Sequence, residues 1–255
     1  ILKGNYNIER ISARAGKMNF FTDTAGLVNY DISVKNRKTG VNDLTIVLER
    51  VNLSDITACY NNLATKLIIN GLVKEGRIKS RISGDNVDFK AVADMEIYRF
   101  QLNSTRITKT VSADLDLILE SSKSGIHIKK SVLGVESYKF GLDGSISSEN
   151  MLDLNITGHN VDISEISNYL PEKYMKLISG YDPHGTLIVD SKIKGLLTRT
   201  SDPHIEISFL LNNGHIAYRK SDITINHLSF AGYFSNGSKN RPETSSVSIK
   251  DIRAK

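Results

Sequence analysis

Alternation of apolar and polar residues with a period of two runs through most of this 255-residue chain. Its clearest stretch is Val111 to Glu120: Val111, Ala113, Leu115, Leu117 and Leu119 share one side, Ser112, Asp114, Asp116 and Glu120 the other, and Ile118 alone breaks the pattern. Successive side chains of a strand point to opposite faces, so this predicts a strand wetted on one face only. The same pattern predicts strands through Val28, Tyr30, Ile32 and Val34, and through Leu44, Ile46 and Leu48, joined by a turn at Arg37-Lys38-Thr39-Gly40 into a hairpin. It recurs at Phe89, Ala91, Ala93, Met95 and Ile97, at Leu152, Leu154 and Ile156, and at Ile205, Ile207, Phe209 and Leu211.

Two stretches switch to helical spacing. In the first of them by strength, residues 159–195, the apolar positions are Ile163, Ile166, Tyr169, Leu170, Tyr174, Leu177 and Ile178, with Asp162 or Ser164 as N-cap and Glu165 in the first turn. Pro171 predicts a kink or two short helices. From Gly185 the period returns to two, with Leu187, Val189 and Ile193 opposed to Asp190, Lys192 and Lys194. A weaker copy begins at Val51: Val51, Leu53, Ser54, Asp55 and Ile56 match Val161, Ile163, Ser164, Glu165 and Ile166, and Leu67 and Ile68 match Leu177 and Ile178. This predicts a second amphipathic helix from about residue 51 to 68, followed by a strand from Gly76 to Gly84 with Ile78 and Ile82 inward and Arg77, Lys79 and Arg81 outward. Residues 1–255 then form one continuous body, an excerpt of a longer protein, with repeat-like units at about 51–150 and 159–255.

Turn signals at Lys123-Ser124-Gly125, Asp143-Gly144, Glu149-Asn150, Asn213-Gly214 and Asn236-Gly237 have the spacing of an antiparallel meander. The expected fold is mainly β: an elongated, curled antiparallel sheet of more than ten strands with two short helical segments. Two helices cannot cover so many one-sided strands, which leaves a sandwich, a barrel or a curled trough.

Composition narrows the chemistry. No run of ~18 apolar residues is present to span a bilayer as a helix. The net charge of +5 is mild, and basic runs such as Ile128-Lys129-Lys130 lack interleaved aromatics, so no nucleic-acid partner is expected. The single Cys59, on the apolar side of the first helix beside Tyr60, reads as a small buried residue rather than a reactive thiol. The six histidines have no close ligand spacing; His204 and Glu206 share a strand face and make half a site, and Asp114 with Asp116 reads as a wet strand face. HExxH, CxxC, GxSxG and the P-loop are missing, and the SxxK match at Ser191 to Lys194 lies in a strand. No enzymatic activity, metal or cofactor is expected.

The unit at 159–195, then SDPHIEISFLLNNGHIAY, INHLSFAGYFSNG and ETSSVSIKDI, resembles the C-terminal region of AsmA-like proteins of Gram-negative envelopes. The resemblance covers roughly residues 155–255 and rests on sheet and turn residues without a catalytic signature. It implies a repeating β-groove in the periplasm, tethered to the inner membrane by a segment absent from this chain, that conducts phospholipid or another envelope lipid between membranes during outer-membrane biogenesis, with envelope proteins as possible partners. The inward residues expected to line the groove are Val28, Tyr30, Ile32, Val34, Leu115, Leu117, Leu119, Leu152, Leu154, Ile156, Leu187, Val189, Ile193, Ile205, Ile207 and Phe209. In such a trough a carboxylate at Leu117 or Val189 stays hydrated and the fold survives. The competing expectation is a structural or adhesive β-module with a closed core, binding protein or glycan at its surface.

Overall fold

Nearly all the alternating stretches are strands in the computed structural model, which describes residues 4–29, 44–103, 105–107, 109–166, 180–218, 221 and 223–254. In chain order these are β1 (Gly4–Ile8), β2 (Ile11–Thr22), β3 (Leu44–Asn62), β4 (Leu67–Ser83), β5 (Asn86–Leu102), β6 (Thr105–Ile107), β7 (Val111–Ser122), β8 (Gly125–Val135), β9 (Tyr138–Ser147), β10 (Met151–Asp162), β11 (Tyr181–Leu196), β12 (His204–Tyr218), β13 (Thr224–Ser235) and β14 (Ser246–Arg253). All 14 belong to one curled sheet that does not close on itself. From β3 to β14 each strand pairs antiparallel with the next, with β6 set beside the end of β5. The N-terminal edge departs from the expected meander: β1 and β2 lie one after the other along β3, both parallel to it. The rim that carries the β3–β4, β8–β9 and β12–β13 connections is termed upper, and the opposite one lower.

The helix expected from residue 51 is not formed. Val51 to Ile56 lies inside β3, and Leu67 and Ile68 open β4. Asp55 has φ 54°, a left-handed residue within the strand, so Leu53 and Ile56 reach the same face although three positions apart. That spacing imitates a helical turn. At the matching site in the second unit, β10 runs into α1 (Ile163–Ile166), whose Ser164 N–H and hydroxyl both donate to Asp162 Oδ1 at 2.8 and 2.7 Å. Thus the aligned stretches occupy different elements. Tyr169, Leu170, Pro171, Tyr174, Leu177 and Ile178 lie outside the described residues, as do Tyr30, Ile32, Val34 and the turn at 37–40; Val28 forms an isolated bridge to Thr22. Cys59 is a free, half-buried thiol in β3 rather than on a helix.

Asp143-Gly144 and Asn213-Gly214, read as hairpin turns, sit inside β9 and β12. They mark bends instead. Near the upper rim, Asn160, Gly185, Asn213, His227 and Asp251 all have positive φ, one on each of five consecutive strands, and the pairing register shifts beside each of them. Near the lower rim Gly125, Gly144 and Gly195 do, with φ of 138°, 131° and 124°. Residues of this kind bend a strand and raise its twist. In β8 a register shift at Lys129-Lys130 sends both lysines to solvent and returns Ser131 to the inner face, where its hydroxyl accepts from Ile118 N–H at 3.0 Å. The break in alternation at Ile118 is the partner side of this bulge.

Candidate functional site

Register decides which side chains share a face, because residues directly opposite in a ladder point the same way. One row runs Phe89, Leu119, Ile128, Gly144, Leu154, Ile193 and Ile205 across β5 to β12. A parallel row runs Ala93, Leu115, Leu133, Phe140, Gly158, Val189, Phe209 and Gly232 across β5 to β13. Leu117, Leu152, Ile156, Leu187 and Ile207 occupy the neighbouring rows of the same face. The sheet therefore gathers every described member of the expected lining set from β7 to β12 onto one continuous apolar surface.

A sheet hides side chains on the face toward which it curls, and an element laid over that face hides more, as Ile163 of α1 does against the cluster of Val161, Leu187, Leu211 and Leu228. Ile56 and Leu211 are each 1% exposed and Val161 0%, all on the apolar face, which makes that face the concave one. The concavity is not packed throughout. The whole chain exposes 16776 Å², whereas a compact monomer of this size exposes about 11,000 Å². Leu115, Leu117, Leu119, Leu154, Ile156, Ile193, Ile205 and Ile207 are only half-buried. Ile56, Ala91, Ala113, Ile128 and Leu152 are buried singly on this face, and at the upper rim of β10 to β13 Val161, Leu187, Leu211 and Leu228 form a buried cluster. Phe140, Val189, Phe209 and Phe230 pack against it, the last two edge to face with ring centroids 6.2 Å apart. Val189 thus abuts a packed core and Leu117 an uncovered floor, a difference invisible in the alternation they share.

Two rings lie over glycines on the adjacent strand: a Cβ at Gly158 would stand 2.8 Å from Phe140 Cε1, and one at Gly232 would stand 2.2 Å from Phe209 Cε2. The absence of a side chain at these positions lets the rings lie flat along the floor, the pairing known to support glycine in strands.

The convex face is charged and laced with cross-strand ion pairs, Lys129 with Glu120 and Lys194 with Asp153 among them. Its densest polar grouping stands at the lower rim of β12 and β13. His204 Nε2 lies 3.6 Å from Glu206 Oε1, the Tyr233 hydroxyl donates to the same oxygen, and His204 Nδ1 meets Asn240 Oδ1 at 3.0 Å. Asn240 Nδ2 donates to the carbonyl of Asp202 at 2.9 Å, and Asn236 Nδ2 to that of Pro203 at 2.9 Å. The half-site expected at His204 and Glu206 is therefore part of a loop-fixing network. Among the described residues no three His, Cys, Asp or Glu side chains are grouped to hold a metal ion. The Tyr233 hydroxyl, with His204 and Lys192 nearby, holds the Glu206 carboxyl below its ordinary value, and the same bond raises the Tyr233 phenol. A depressed carboxyl contributes stability that is present above its unfolded value and is lost as pH falls through the folded one. Tyr233→Phe is expected to move the Glu206 titration upward toward the ordinary carboxylate range, followed by NMR at Glu206 Cδ; an unmoved titration contradicts the assignment.

No protein-family model, curated protein or solved structure matches this chain.

Proposed function

We propose that this chain is a non-enzymatic lipid-handling segment whose concave apolar face shelters acyl chains, in the manner of AsmA-like envelope proteins at the inner membrane. The observation that carries the reading is a continuous apolar surface, spanning β5 to β12, that is held concave yet only half-buried. Leaving such a surface to water is costly, since burial recovers about 25 cal/mol per Å². An acyl chain offers what the sheet lacks, and a sixteen-carbon tail gains on the order of 12 kcal/mol on leaving water. The charged convex face stays in solvent while tails lie in the hollow. The alternative of a closed-core adhesive module draws on the buried cluster at the upper rim of β10 to β13 and on single buried side chains such as Ile56.

Native mass spectrometry of protein isolated in mild detergent, with lipid extraction of the same sample, tests the proposal. Bound phospholipid or another diacyl lipid in a substoichiometric to stoichiometric amount is the expected result. Folded protein that carries no lipid, and takes none from vesicles, overturns it.

A further inference from the structure

Asn103, in the turn that ends β5 at the upper rim, donates from Nδ2 to Asp202 Oδ1, in the loop that precedes β12 at the lower rim. Five strands, β7 to β11, separate the two elements in the ladder. Laid flat, six strand spacings of ~4.8 Å would hold them about 29 Å apart across the sheet, with most of a strand length added between opposite rims. The contact exists because the sheet coils back on itself. A ring is thereby formed whose wall is backbone ladder from β5 to β12, and which this side-chain pair closes.

Both halves of the pair are positioned. The Asp202 loop is held by Asn240 Nδ2 on the Asp202 carbonyl, by Asn236 Nδ2 on the Pro203 carbonyl, and by Ile205 N–H on Asn236 Oδ1, each at 2.9 Å. On the other side, the Asn103 N–H donates to the Lys66 carbonyl at 3.3 Å and its carbonyl accepts from Gln101 Nε2 at 3.3 Å. A carboxylate only accepts, so the Asn103 amide turns its Nδ2 donor toward Asp202 and leaves Oδ1 buried without a hydrogen-bond partner. The inside of the ring is the half-buried apolar floor, Phe89, Leu117, Leu119, Leu154, Ile156 and Ile193.

We propose that this ring is the site that takes the acyl chain, and that the Asn103–Asp202 bond is the clasp through which the chain enters sideways and leaves. This rests on the lipid-handling reading and adds where the tail lies and what must open. A charged, directional bond between two anchored loops suits the part, because it can break without disturbing any backbone ladder.

The test uses Asn103→Cys and Asp202→Cys together in a Cys59→Ser background, joined by an ethane-bridged bis-methanethiosulfonate whose disulfide ends dithiothreitol releases. Uptake of a fluorescent C16 phosphatidylcholine from vesicles is followed before and after reduction. The joined protein is expected to load at least ten-fold more slowly, with the rate restored by dithiothreitol, and Asp202→Ala is expected to load and unload faster than the parent. Equal rates in the joined and reduced forms overturn the clasp while leaving lipid handling intact. Failure of the pair to join, in protein with the parent's circular dichroism, overturns the ring. No uptake by the parent overturns the function on which both rest.

Discussion

Gly144→Ala is expected to lower stability by about 3 kcal/mol or more, the range of a backbone made to adopt a strained conformation against a steric clash. Gly144 has φ 131°, where an L side chain is rarely found, and its added Cβ would stand 2.1 Å from the carbonyl oxygen of Asp153 on β10. Neither obstacle is the flexible end of a side chain, so relief requires parting β9 from β10. Chemical denaturation gives the measure, and a midpoint within experimental error of the parent would contradict the bend assigned to this residue. Gly232→Ala provides the contrast. Its obstacle is the Phe209 ring, so the loss should be partly recovered by Phe209→Leu in a double-mutant cycle.

Leu117→Asp and Val189→Asp are expected to part company. Val189 packs against the buried cluster of Val161, Leu187, Leu211 and Leu228, where a carboxylate loses water without gaining a partner. Several kcal/mol of destabilisation, or failure to fold, follows. Leu117 faces the uncovered floor, paired with Ala91. There the carboxylate remains hydrated in the empty protein, so a cost of about 1–2 kcal/mol is expected together with loss of bound lipid. Thermal melts and native mass spectrometry on both variants give the comparison. A Leu117→Asp protein that unfolds like Val189→Asp would argue for a closed core, and one that retains lipid would remove this floor from the binding surface.

Strand content and inner face were legible because alternation needs only one residue of context. From β7 to β12 the expected lining residues fall on a common surface for that reason. Legibility failed wherever a left-handed residue or a bulge adds an odd step. Leu53 and Ile56 are three apart on one face because Asp55 lies between them in a left-handed conformation, and the resulting spacing reads as a helix. Asp143-Gly144 and Asn213-Gly214 carry the chemistry of a tight turn, positive φ, but use it to bend a strand that continues. A turn and a bend are told apart only by whether the chain pairs with itself or with its neighbours. The ring closure at Asn103 and Asp202 lay further out of reach, since two residues 99 positions apart leave no periodic trace of a shared hydrogen bond. The packed cluster was equally hidden: Leu187 and Ile193 look alike along the strand, and the first is buried by its neighbours at the upper rim, Val161, Leu211, Leu228 and Ile163 of α1 among them.

Pairing of each strand from β3 onward with its successor also governs how the molecule comes apart under load. Removing β14 breaks one ladder and leaves β13 as a new edge, and nothing else in the sheet loses a backbone partner. Tension applied at the C-terminus thus works on one zipper at a time, and the resistance it meets changes strand by strand. It stiffens at β13 to β10, where the buried cluster ties four strands together, and again at β5 to β3, where the ladders are longest. Such a chain yields as a frayed ribbon does, in graded steps, and its segments near the N-terminal edge can stay zipped while the opposite end is drawn out.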